Sequence, residues 1–245
     1  AKYYHRISIE NINSFRHLLI PITVLIAPII LVATQPDLGT SILIASGGII
    51  VAWLAGVRAK FFIISGFAMI ALLPIAISFL KPYQKSRILT FLNPERDPLG
   101  AGYQIIQSKI AIGSGGLFGK GFLNGSQSYL DYLPEKHTDF IFTLFSEEFG
   151  FFGSLFILLL YSVIISRIVV IGNMTRSNFG KLYCYSFATA FFIYVVVNMM
   201  MVLGLLPIVG SPLPIMSYGG SSMMAIMFGL GIVMSCKIFK DVPVN

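Results

Sequence analysis

The sequence predicts an all-α, polytopic integral membrane protein, and three observations predict it. Of its 245 residues, 56% are hydrophobic and only 11% charged, and the mean hydropathy is +0.84, far from the balance of a soluble domain. Residues 18–36, 38–57, 61–80, 149–166 and 182–236 contain no Asp, Glu, Lys or Arg, and about 20 apolar residues suffice for one crossing. The last stretch has room for two spans, broken between Pro207 and Pro214. Six transmembrane helices follow from this count.

The third observation is where the charge lies. The net charge is +7, which by itself suggests nucleic acid. On alternate sides of six spans, however, Lys2, Arg6, Arg16, Arg58, Lys60, Arg167, Arg176, Lys181, Lys237 and Lys240 all fall on one side. The short turns of the other side carry no base. That asymmetry marks the ten-residue side as cytoplasmic and argues against a nucleic-acid groove. The other seven bases lie in one long loop, 81–138, which is expected to face outward.

Taken in order, residues 1–17 read as a cytoplasmic loop entered from the middle of a larger protein. Helix one covers about residues 18–33, with Pro21 and Pro28 tolerated inside the membrane. "TQPDLGT" (34–40) makes an outer turn, helix two returns through Trp53, and "GVRAK" leads into helix three, which ends near Leu80. In the 81–138 loop, Ile105, Ile106 and Ile110 interleave with Gln104, Gln107 and Lys109, the spacing of a short amphipathic helix at the bilayer surface. Helices four, five and six begin near Asp139, Lys181 and Ser221, so residues 139–245 hold the last three spans. Cys184 and Cys236 read as small membrane residues, and the three histidines have no metal-ligand spacing.

Several residues stand out chemically. Asp139, Thr143, Ser146, Glu147, Gly150 and Ser154 form one stripe of a 3.6-period helix. Such a stripe must face protein or a water-filled cavity, because a charge facing lipid costs several kcal/mol. Glu147 reads equally as helix–helix glue. Asp139, at the membrane mouth beside an ordered loop, is the candidate functional acid. Asp37 sits between two spans with no basic neighbour in sequence, so it is expected to be a structural ion-pair partner of a cation on another helix. The cluster "GSGGLFGKGFLNG" (113–125) fails as a phosphate loop, since Ser114 stands where Gly is required and Gly121 follows Lys120. It reads as a tight irregular segment or as a backbone nest for an anionic head group. The uncharged turn "GLLPIVGSPLPIMSYGGSS" (204–222) reads as a broken or re-entrant segment.

The stretches "QPDLGTS", "DPLGAGYQIIQSKIAIGSGGLFGKGF", "LPEKHTDFIF…SEEFGFFGS" and "N-x5-G-x2-P…P-x-P-x2-SYGGSS" resemble the SEDS family of cell-wall proteins (shape, elongation, division and sporulation), closest to its rod-shape branch. The resemblance covers nearly the whole chain as one membrane domain. It implies about ten helices in an intact member, of which the last six are here. Ser211 and Phe149 depart from the usual aliphatic residue and Leu. The resemblance implies a peptidoglycan glycosyltransferase that polymerises lipid II outside the bacterial inner membrane during elongation. It also implies a class B penicillin-binding protein and the elongation machinery as partners, with Asp139 as the catalytic carboxylate. For substrate binding the candidates are Lys85, Arg87, Lys109, Lys120, Lys136, His137, Glu147, Ser217, Tyr218, Gly219, Gly220 and Ser221. No protein metal site or resident cofactor is expected; a divalent cation travelling with the substrate pyrophosphate is compatible with the reaction. A lipid II flippase and a non-catalytic activator of the penicillin-binding protein are the rival readings.

Overall fold

The computed structural model describes residues 1–4, 12, 14–35, 37–79, 81–97, 100–126 and 137–241, and among these all regular structure is helical. The helices are α1 (Phe15–Thr34), α2 (Leu38–Leu54), α3 (Ala59–Phe79), α4 (Pro82–Leu92), α5 (Ala101–Ser114), α6 (Ile141–Met174), α7 (Asn178–Val202) and α8 (Gly220–Ile238). Four are long and apolar enough to cross a membrane on their own, namely α1, α6, α7 and α8. The apolar segments Leu38–Leu54 and Ala59–Leu72 are shorter. The six predicted spans are thus six apolar helices of a multi-pass membrane protein. Their large side chains point outward, as with Val24 at 68% and Phe67 at 70% exposure. Such a surface is stable only where lipid or protein covers it.

The chain divides into two compact units, one of Ala1–Leu80, Ile165–Phe192 and Met227–Asn245, the other of Lys81–Ile164 and Ile193–Ile226. In the first, α1 and α2 approach closely because Gly48 has no side chain: a β-carbon there would meet Leu25 Cδ1 at 2.3 Å. Pro21 and Pro28 do lie inside α1. Along α7, Phe179, Tyr183, Phe187 and Phe191 recur every fourth residue, with successive ring centroids 6.1, 6.0 and 6.2 Å apart. Gly229 of α8 leaves room for this column, since a β-carbon there would lie 2.2 Å from Phe187 Cε2.

In the second unit, the isoleucine spacing of residues 104–110 becomes α5. Ile105, Ser108 and Ala111 are buried while Lys109 and Ile110 are exposed. The continuous polar stripe expected on helix four is interrupted. Gly150 has φ 66° and ψ −159° inside α6, a conformation essentially reserved for glycine. In a straight helix, Ser146 and Ser154 would be about 12 Å apart. Their hydroxyls are instead hydrogen-bonded at 2.9 Å. Residues 141–149 are therefore a separate short helix, folded against the start of the long one.

Candidate active site

Asp139 opens this short helix in a turn, residues 137–140. Three consecutive carbonyls of that turn each receive a donor from residues 198–218. Tyr218 N–H donates to the His137 carbonyl at 2.9 Å, and Ser217 Oγ donates to the Thr138 carbonyl at 2.6 Å. The Asn198 amide donates to the Asp139 carbonyl at 2.8 Å. The backbone under Asp139 is thus held at every residue, while its side chain stays half-buried. Its carboxylate lies against Gly210, where a β-carbon would sit 3.6 Å from Oδ2.

The holding turn is itself braced. Ser217 Oγ accepts the Leu213 N–H at 2.7 Å, and Tyr161 donates to the Pro214 carbonyl at 2.6 Å. Asn198, with no exposed surface, donates also to the Ser211 carbonyl at 2.8 Å. Within this brace Ile215 is held at φ 69°, an outlier for a β-branched residue. His137, Ile141, Ile215, Met216, Ser217, Tyr218, Gly219, Gly220 and Met223 line a cleft of about 660 Å³. Tyr218 projects beside it, 82% exposed. Gly220 begins α8, and Ser221 follows it, exposed.

The rest of the stripe faces protein. Thr143 and Ser108, both without exposed surface, share a hydroxyl hydrogen bond of 2.7 Å, and Ser108 donates onward to the Val202 carbonyl. Glu147 is fully buried and pairs with Lys120 Nζ at 2.7 Å. Ser126 Oγ donates to the same carboxylate oxygen at 3.1 Å. Two candidates for substrate contact, Lys120 and Glu147, thus hold one another.

The glycine cluster has a use that the sequence does not display. At the Gly150 break, Lys120 N–H donates to the Glu147 carbonyl and Gly121 N–H to the Glu148 carbonyl, each at 3.0 Å. In return, Phe151 and Phe152 N–H donate to the carbonyls of Gly116 and Leu117 at 2.9 and 3.2 Å. Breaking a helix orphans carbonyls on one side and N–H groups on the other, and this loop satisfies both. The Lys120 and Gly121 N–H groups, spent on helix carbonyls, are unavailable to an anion.

Of the other bases, Arg87 Nη1 donates to the Ile208 carbonyl at 3.4 Å. Lys109 lies over Gly204, where a β-carbon would come 2.3 Å from its Cε. Arg87, Lys109 and Asp139 therefore approach one turn, at Ile208, Gly204 and Gly210. Lys85 is exposed on α4, and Lys136 lies outside the described residues. Asp37 caps α2, accepting Thr40 N–H at 3.0 Å and the Thr40 hydroxyl at 2.6 Å. Among the described residues no three His, Cys, Asp or Glu side chains converge to hold a metal. Asn198 and Gly210 were missed as site residues. In the sequence Asn198 shows only as the first residue of the N-x5-G-x2-P stretch and as an amide inside an apolar helix.

The profile of the FtsW/RodA/SpoVE cell cycle proteins matches residues 1–241. The peptidoglycan glycosyltransferase MrdB of Escherichia coli (strain K12) is 49% identical over 217 residues, covering 88% of this chain and 59% of that protein. A solved chain from a peptidoglycan synthase complex that coordinates polymerization and crosslinking is 34% identical with a TM-score of 0.76, covering 94% of this chain and 64% of that one. The rod shape determining protein RodA of Thermus thermophilus superimposes with a TM-score of 0.59 at 25% identity, over 91% of this chain and 56% of that one. The chain thus spans about three fifths of the length of these relatives.

Proposed function

Because the chain belongs to the FtsW/RodA/SpoVE family of cell cycle proteins, we propose that it carries the catalytic base of a peptidoglycan glycosyltransferase that polymerises lipid II in cell elongation. The observation that carries this reading is Asp139, a half-exposed carboxylate on a backbone fixed at three successive carbonyls. In the proposed reaction the 4-hydroxyl of the acceptor sugar attacks the anomeric carbon of the donor. The hydroxyl proton passes to the Asp139 carboxylate as the new C–O bond forms. The bond to the lipid pyrophosphate breaks, and undecaprenyl diphosphate leaves with the electron pair.

An α-linked donor then gives a β-linked product by one displacement. Inverting hydrolases need a second carboxyl as acid because an alkoxide leaves poorly. A pyrophosphate needs charge stabilisation instead, so one acid and a set of cations suffice. Arg87 and Lys109 are the best-placed cations, because they approach the turn that carries Gly210. Lys120 is the poorest, being engaged by Glu147. A divalent cation, if one takes part, would be held through the substrate's own phosphates.

The proposed setting is the outer face of the bacterial inner membrane, with the 81–138 connection outside. A class B penicillin-binding protein would be the partner, as befits a chain similar to part of a synthase complex. Glycan-strand synthesis from lipid II by the whole protein tests the reading. Asp139→Asn keeps the shape but lowers proton affinity, so the rate should fall by about 10²–10⁴-fold at unchanged abundance and lipid II binding. Near-normal polymerisation would remove Asp139 from the mechanism. Transport without polymerisation by the unaltered protein would favour a flippase, and stimulation of the partner alone would favour an activator.

A further inference from the structure

We infer that Asn198 and Ser217 are positioning residues for the reaction, holding the carboxylate of Asp139 in line through its backbone; the inference rests on Asp139 being the base. Each supplies a side-chain donor to a carbonyl of the Asp139 turn from a site distant in sequence. Asn198 stands 59 positions away and Ser217 stands 79 positions from Thr138. Neither side chain is spare surface: Asn198 has no exposure and Ser217 has 4%. A helix N-terminus ordinarily fixes only the groups inside its first turn. Here the two donors reach the residues before the helix, where the acid sits.

Both donors are themselves held. The Asn198 amide bridges the Asp139 and Ser211 carbonyls at 2.8 Å each, and this fixes its orientation, since the flipped amide would set oxygen against two oxygens. Ser217 passes a hydrogen bond from Leu213 N–H to the Thr138 carbonyl. The turn at 210–217 and the base therefore move as one body. Ser217, which the motif alone marked as a substrate contact, has its one hydroxyl proton spent on this task. The cleft keeps Tyr218 as its projecting side chain.

The test uses the whole protein and lipid II, comparing Asn198→Leu, Ser217→Ala and Ser217→Thr at matched folded amounts. Misplacing a catalytic group by about 1 Å can cost on the order of 10²-fold. The expected result is a fall in kcat of about 10–10²-fold for Asn198→Leu and for Ser217→Ala, with KM for lipid II little changed. Ser217→Thr keeps the hydroxyl and should recover most of the rate. Combined with Asp139→Ala, neither Asn198→Leu nor Ser217→Ala should lower the residual rate further, because groups acting as a unit are not additive. The same fold loss in the Asp139→Ala background would overturn the inference, and so would wild-type kcat in both single variants. If Asp139→Asn itself polymerised normally, the functional reading would fail first. An inactive Asp139→Asn beside fully active Asn198→Leu and Ser217→Ala would sink the positioning role alone.

Discussion

Gly150→Ala tests the helix break directly, because the structure gives the cost from two sides. The first is conformational. At φ 66° and ψ −159° a residue with a β-carbon is strained by about 1–3 kcal/mol. The second is steric: that β-carbon would lie 2.3 Å from Gly119 N and 2.8 Å from the Leu117 carbonyl. Both neighbours are backbone and cannot rotate away. The loop would have to retreat, and with it the four hydrogen bonds between residues 116–121 and the two helix ends. Each buried group left without a partner costs about 1–3 kcal/mol. Losing only two of the bonds brings the total to roughly 3–9 kcal/mol, which approaches the whole stability of many proteins. The assay is folded yield and thermal midpoint after detergent extraction, with Gly113→Ala as control. Nothing lies within 4 Å of a β-carbon at Gly113, at the end of α5, where Ala is the better helix former. Gly113→Ala should match or slightly exceed the parent, and Gly150→Ala should lose most of its folded yield. A Gly150→Ala protein with the parent's midpoint would mean that the chain does not break there.

Two further substitutions separate structural from functional charge. Lys120→Met removes the ammonium that pairs with the buried Glu147 carboxylate and should destabilise by about 3–5 kcal/mol, read as a lower thermal midpoint; an unchanged midpoint would return Lys120 to the list of substrate cations. Asp37→Ala removes the cap of α2, at about 1 kcal/mol, if capping is its whole role. A loss of about 3–5 kcal/mol in the whole protein would instead reveal the buried cation partner expected from the sequence.

The elements whose causes are local were legible in the sequence. Charge-free runs located α1, α2 and α3 to within a few residues and fell within or across the three later apolar helices, and the spacing of Ile105, Ile106 and Ile110 announced α5. What the sequence could not carry were pairings across long separations. Thr143 reads as polar but not as the partner of Ser108, 35 positions away. Glu147 reads as an acid in an apolar helix but not as the mate of Lys120, 27 positions away. Gly150 looks like the small residue of any membrane helix. Its backbone conformation is decided by residues 116–121, which read in the sequence as a tight irregular segment or a nest because the helix ends that they meet are invisible from spacing. The failure has one physical source. Backbone hydrogen bonds outside regular helices depend on which loop meets which helix end, and residue type says little about that.

The two devices act on the same short helix from opposite ends. Residues 198–218 hold the three carbonyls that precede it, and residues 116–121 close the break that follows it. Between them, Thr143 is tied to Ser108 and Glu147 to Lys120. As the proposed catalytic base, Asp139 faces opposed demands: access to water, and placement within a fraction of an ångström. Burying the acid would fix it but favour its neutral form. Fixing the backbone on both sides and leaving the side chain half-open meets both demands. It follows that the sensitive residues should lie beneath Asp139 rather than around it. Asn198, Ser217 and Gly150 lie in the backbone frame of the short helix, and in the proposed mechanism each fixes where the carboxylate can go.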